Sequence, residues 1–340
     1  MNLVQAVWLY VVLQRTVLPS EQRGEEAGEP EGKGTPLPFL PRAPQSARPR
    51  PGLDRSLQRQ MLRDSGPLMI NHLLASIFWR IDLWILKGFA GAAAVGIFSA
   101  GVKYLDGLNV IPAYFTLAIF PLMSRYARNG TESLVRAYRL AVQLLFLTAL
   151  PIAVCFTFAA TPLIQILGGA AYLPDSAIAL SILIWSIPIG FVNSVTQYVL
   201  IAVGQQRFLT KAFVIGVLFT TLANLIFVPG ITLGNRVIVP GYGYLAAAVI
   251  MIPAELALFI PFYWAVRRYV AAIPWINLCG RPLLAAGVDA GVVWGLGRAG
   301  IPMLLSLTAG FLAYGGVLLA LGTFRGEDFA MLRTLAKRKK

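Results

Sequence analysis

Apolar residues cluster in eight long stretches along the chain: 67–86, 93–120, 140–164, 176–202, 209–230, 242–265, 282–298 and 302–322. A helix crossing a hydrocarbon core of roughly 30 Å needs about 20 mostly apolar residues, so each stretch reads as a membrane span. A closed barrel would instead show segments of strict alternation, and none competes with these runs. The pattern predicts an all-α fold, a polytopic transmembrane helix bundle of about eight spans over residues 66–322. Residues 1–13 are also apolar but too few to span, and they lack the basic start of a signal peptide. Between them and the bundle lie PSEQRGEEAGEPEGKG and PLPFLPRAPQSARPRPG. Such Pro-, Gly- and charge-rich composition cannot bury enough apolar surface to order itself, so 14–65 reads as a disordered linker. Its basic half either touches anionic headgroups or serves as a solvated tether.

Composition agrees with the pattern: 57% of the 340 residues are hydrophobic and 13% charged, against about 25% charged in soluble domains. The formal charge of +14 raises nucleic acid as a partner. Its placement argues otherwise. With loops numbered alternately, 24 Lys and Arg fall on one side and 3, Lys87, Arg236 and Arg298, on the other. That is positive-inside bias, and it puts the linker and the basic tail 323–340 in the cytoplasm with an even number of crossings between them. The tail reads as a short amphipathic helix ending in a basic cluster at the lipid surface. Cys155 and Cys279 form no CxxC or disulfide framework, and the single histidine, His72, reads as structural. Neither a metal centre, a cofactor site nor a His-based triad is expected.

Arg80, Lys103, Asp82, Asp106, Glu255 and Asp289 lie within spans. Ionisable groups in the membrane are costly, so they usually face a bundle interior or wet cavity and mark a path. Arg80 and Asp82, two apart in FWRIDLWIL, fall on nearly opposite sides of a helix and need separate partners. If the first span starts near Pro67 on the cytoplasmic side, Arg80 lies about 20 Å across it, and Lys103 about 15 Å below the outer end of the next. The two cations are then at similar heights and can line the outer half of a cavity. Alternatively, Lys103 and Asp106 neutralise each other, Arg80 snorkels outward, and Asp82 only orients Arg80. Glu255 follows Pro253, where a proline-weakened helix offers carbonyls to an ion or water. Asp289 sits among small residues that allow close packing. Asn193 and Gln197, four apart, suit either a polar ligand or a neighbouring helix. Prolines 112, 151, 188, 253 and 261 predict kinked spans.

RIDLWILKGFAGAAAVGIFSAGVKYLDGLNVIPAYFTLAIFPLMSRYA carries Arg80 and Asp82, the turn entering the next span at Gly96, Phe120 with Pro121, and Ser124 with Arg125. ANLIFVPGITLGNRVIVPGYGYLAAAVIMIPAE carries Asn224, Pro229, Gly241, Gly243 and Glu255. Together, over residues 66–340, they resemble O-antigen-type polysaccharide flippases of the multidrug/oligosaccharidyl-lipid/polysaccharide exporter superfamily. The resemblance implies a fourteen-helix, MATE-like fold of two six-helix lobes plus two extra helices. This chain matches the second lobe and the extra helices, with 1–13 similar to the end of the sixth helix. A fragment, or a first lobe supplied by another chain, is then expected. The implied activity is flipping of a polyprenyl-diphosphate-linked saccharide across the bacterial inner membrane for surface polysaccharide assembly.

On that reading Arg80, Lys103, Asp106, Asp82, Asn193 and Gln197 contact substrate, while Glu255 and Asp289 couple an ion. The diphosphate would attract Arg80 and Lys103, and the polyprenyl tail would stay among membrane lipids. With two cations against four carboxylates in the spans, the half-cavity is not net positive unless carboxylates bind protons or cations. Three other readings stand beside this one. A cation-coupled multidrug exporter would favour the carboxylates without Arg80 and Lys103, and an assembly subunit would not transport at all. A glycosyltransferase or polymerase would need acidic catalytic residues outside the membrane, where only Asp175 is offered.

Overall fold

The computed structural model describes residues 66, 69–233 and 236–322. The apolar segment 1–13, the linker 14–65 and the tail 323–340 lie outside the described residues. The chain is a multi-pass helical membrane protein. Its helices are α1 (Met69–Phe78), α2 (Ile81–Phe89), α3 (Gly91–Leu108), α4 (Val110–Asn129), α5 (Thr131–Phe158), α6 (Ala160–Gly168), α7 (Asp175–Leu183), α8 (Ile187–Ala202), α9 (Gln206–Phe227), α10 (Gly243–Tyr269), α11 (Trp275–Arg298) and α12 (Met303–Ala320).

Among the described residues, six helical segments are long and apolar enough to cross a membrane, or seven if the pair α1–α2, bent by 40°, counts as one span. Eight were expected. The difference is α11, whose 24 residues are long enough but carry Arg281, Asp289 and Arg298. α3 and α4 run together as one segment, Gly91–Arg128, of 38 residues, longer at both ends than the expected 93–120. The chain is also not wholly helical. Ile231–Leu233 (β1) and Arg236–Val239 (β2) pair antiparallel, because the β-branched run there is too short to span and is bounded by turn residues.

α1 and α2 lie along α9, fastened at three levels. Asn71 donates to the Gln206 carbonyl at 3.1 Å and accepts from Thr210 at 2.7 Å. Phe78 packs over Gly216, where an added Cβ would come within 3.2 Å of the ring. At the far end the carboxylate of Asp82, buried, accepts from Asn224 Nδ2 at 2.7 Å and from Thr220 Oγ1 at 3.2 Å. In hydrocarbon such bonds hold helices because the alternative is an unmet polar group. α9 in turn packs extensively on α10, and the two are joined through the hairpin. There the backbone crosses itself at two glycines. A Cβ on Gly230, which has φ +77°, would lie 2.5 Å from the Val239 carbonyl oxygen, and one on Gly241 2.5 Å from that of Pro229. Tyr242 and Gly243 donate to the carbonyls of Phe227 and Val228, closing the turn.

The core sits among α3, α5, α7, α8 and α10, around the fully buried Phe98, Tyr138, Phe191 and Phe262. Gly101 lets α3 approach Leu180 and Leu183 of α7. α11 packs chiefly on α12, where Gly310 lies directly against Asp289 and Val293.

Three outcomes follow for purified protein in detergent. Asn224→Leu leaves the buried Asp82 without its shortest bond and should cost about 1–3 kcal/mol, seen as a lower melting temperature. Gly230→Ala combines a left-handed φ with a backbone collision and should prevent accumulation of folded protein. Gly88→Ala, in open space on α2, should be neutral or stabilising by up to about 1 kcal/mol.

Candidate functional site

Polar residues spaced by three or four draw one face of several helices toward a common space. His72, Ser76 and Arg80 form such a row on α1 and its bend, and Asp106 and Asn109 continue it at the end of α3. Gly190, Asn193, Ser194 and Gln197 do the same on α8. With Glu255 of α10 they line a cavity of about 420 Å³. Its apolar wall includes Phe213 and Phe262, packed edge to face at 6.0 Å.

The bend between α1 and α2 aims the two charges of FWRIDLWIL. Trp79 and Arg80 form a turn there, with Arg80 N–H bonded to the Ile77 carbonyl and the Arg80 carbonyl accepting from Leu83. Arg80 faces the cavity and pairs with Asp106, Nη2 to Oδ2 at 3.0 Å. Their side chains are 49% and 46% exposed, so the pair is at the mouth and not in the core. Asp82 turns the other way, into α9.

This arrangement revises the expected site. Asp82 does not line the cavity; it is held by Thr220 and Asn224. Lys103 is exposed and absent from the lining, because three residues before Asp106 on a 3.6-residue helix is a rotation of roughly 60° away from it. The neutralising pair is therefore Arg80 with Asp106, not Lys103 with Asp106. Asp289 is buried between α11 and α12 and does not line the cavity with Glu255. Arg80, Asp106, Asn193, Gln197 and Glu255 are brought together.

Asn193 is a helix tie that also faces the cavity. Its Nδ2 donates to Glu255 Oε2 at 2.7 Å and to the Glu255 carbonyl at 3.0 Å, fastening α8 to α10. Glu255 Oε1 and Asn193 Oδ1, both buried, have no hydrogen-bond partner among the described residues. His72, read from sequence as structural, is an exposed lining residue. The signal for it, and for Ser76 and Ser194, was the co-facial spacing with Arg80 and with Asn193. Among the described residues a second cavity of about 580 Å³ lies between α5 and α12, lined mostly by apolar groups such as Leu147, Pro151 and Leu318.

The model of a family described as "Polysaccharide biosynthesis protein" matches residues 48–127. No curated protein matches the chain significantly. Among solved structures, the fold is similar to "Lipid II flippase MurJ, inward closed conformation", with a TM-score of 0.63 at 13% identity, covering 80% of this chain and 56% of that one. This chain thus spans little more than half the length of that structure. A transporter of the MOP superfamily from Pyrococcus furiosus matches with a TM-score of 0.47 at 17% identity, covering 77% of this chain and 65% of that one. A multidrug resistance MATE family transporter matches at 0.46 and 18%, with the same coverages. The segment matched by the family model carries Arg80 and Asp106, the ion pair at the cavity mouth, and the chain is similar there to polysaccharide biosynthesis proteins and similar in fold to the MurJ flippase.

Proposed function

We propose that this chain takes part in flipping a polyprenyl-diphosphate-linked saccharide across a bacterial inner membrane, with its termini in the cytoplasm. The observation that carries this reading is a polar cavity inside an apolar bundle with a guanidinium at its mouth. Ser194, Gln197 and Asn109 offer hydroxyl and amide groups to sugar hydroxyls, and Trp79 adds an aromatic side chain to the wall. The volume admits a few sugar-sized groups and leaves a polyprenyl chain to the lipid. On this reading a second lobe, from the same protein or another chain, would complete the opposite wall; that this chain covers 56% of the MurJ structure supports it.

The magnitudes favour exchange at Arg80. A half-exposed ion pair is worth about 0.2–1 kcal/mol, whereas charge-assisted bonds from a guanidinium to a diphosphate are worth about 1.5–3 kcal/mol. An arriving diphosphate therefore displaces Asp106. Asp106 acts as a placeholder that keeps Arg80 aimed at the cavity while it is empty.

The test is uptake of a fluorescent polyprenyl-diphosphate disaccharide into the inner leaflet of vesicles holding the full chain with its completing lobe. Arg80→Ala should lower the initial rate by about tenfold to a hundredfold. Asp106→Asn should lower the half-saturating substrate concentration, because Arg80 is then unopposed. Lys103→Ala should leave both quantities unchanged. Equal rates for Arg80→Ala and the parent chain would sink the reading. Better transport of cationic drugs by an Arg80→Ala chain would favour the multidrug alternative.

A further inference from the structure

Charge is left unbalanced where α9 begins and α10 ends. Arg207 and Lys211 stand in the first two turns of α9, Arg267 and Arg268 in the last turn of α10, and all four are exposed. No carboxylate among the described residues is free to neutralise them. Asp106 holds Arg80, Glu132 holds Arg136, Asp175 accepts from Tyr244, and Asp82, Glu255 and Asp289 are buried inside the bundle. The counter-anion has to come from outside these helices.

Two rings gather these cations. Tyr269 meets Phe208 edge to face with centroids 6.4 Å apart, and the Arg268 guanidinium lies 5.6 Å over the Tyr269 ring. Arg207 adjoins Phe208 in sequence and Lys211 follows one turn on, so the ring contact ties cations of two helices to one place. Like charges so gathered repel one another, and an anion between them relieves the repulsion. Toward the middle of the bundle the exposed surface turns apolar, with Val214, Ile215 and Leu218 on α9 and Ile260 and Trp264 on α10. Trp264, 64% exposed, stands one turn from Arg268, about 6 Å along the axis, where an indole suits the boundary between headgroups and hydrocarbon.

We propose that the joined ends of α9 and α10 form a binding site for an anionic phospholipid of the phosphatidylglycerol class, its phosphate among Arg207, Lys211, Arg267 and Arg268 and its acyl chains along Leu218 and Trp264. A nucleic acid or an acidic soluble protein would meet the cations and not the apolar rows beside them, whereas a phospholipid meets both. A zwitterionic lipid brings a cation of its own, which these side chains repel, so the patch selects net negative charge. None of these residues lines the polar cavity, so the site stands apart from the transported molecule.

Quenching of Trp264 tests this, in the full chain reconstituted into phosphatidylcholine vesicles and titrated with phosphatidylglycerol brominated near the headgroup end of its chains. Brominated phosphatidylglycerol should quench more than brominated phosphatidylcholine at equal content, and Trp264→Phe should remove that excess. Arg207→Gln, Lys211→Gln or Arg268→Gln should each raise the half-saturating phosphatidylglycerol content about fivefold. Arg125→Gln, which removes a cation of α4 on the same side by loop alternation, should leave it unchanged, and inorganic phosphate should not compete. The double change Lys211→Gln with Arg267→Gln leaves the ring contact intact and decides the matter should Arg268→Gln fail to fold. Absence of excess quenching in the parent chain overturns the proposal. So does an equal loss in Arg125→Gln, the mark of diffuse attraction, or displacement by inorganic phosphate.

Discussion

Everything at the cavity mouth depends on how the first bent helix is fastened to α9. A carboxylate in a low-dielectric interior must find donors, and Asp82 finds them in Thr220 and Asn224. Because Arg80 lies two residues earlier, on the opposite side of the chain, burying Asp82 against α9 obliges Arg80 to face the cavity. The apolar contact of Phe78 with Gly216 and the amide bonds of Asn71 set the same rotation from the other end. The guanidinium is thus aimed by a group that never meets the cavity.

The same logic separates what the sequence made legible from what it did not. Spans were legible because hydrocarbon thickness imposes a length and an apolar composition, and α11 departed from the count because its charges dilute the pattern. The opposition of Arg80 and Asp82 was legible because helical rotation is fixed. Which partner each would take was not, since that depends on rotations between helices far apart in sequence: Asp106 is 26 residues from Arg80, and Asn224 is 142 from Asp82. Lys103 illustrates the limit. Depth along a span says nothing of azimuth, and about one sixth of a turn removed it from the lining. The hairpin escaped notice because a short β-branched segment beside a long span reads as the span's continuation.

Asn193 shows that the choice between a helix tie and a ligand contact was not a real alternative. One amide has two ends. The nitrogen bonds α10, and in doing so it leaves the oxygen buried and without a hydrogen-bond partner among the described residues. Polar residues inside a bundle serve assembly and recognition at once wherever their capacity exceeds the demands of packing.

The glycine crossing at the hairpin fixes how the chain passes from α9 to α10. Gly230 and Gly241 bring backbone against backbone, and Tyr242 and Gly243 bond back to the carbonyls of Phe227 and Val228, so α1–α2, fastened along α9, take their place from the same crossing. Helical bonding is interrupted at the turn of Trp79–Arg80 and at the step at Asn109 between α3 and α4. Arg80 stands in the first interruption and Asp106 three residues before the second, so one ion pair spans both breaks in the helical wall.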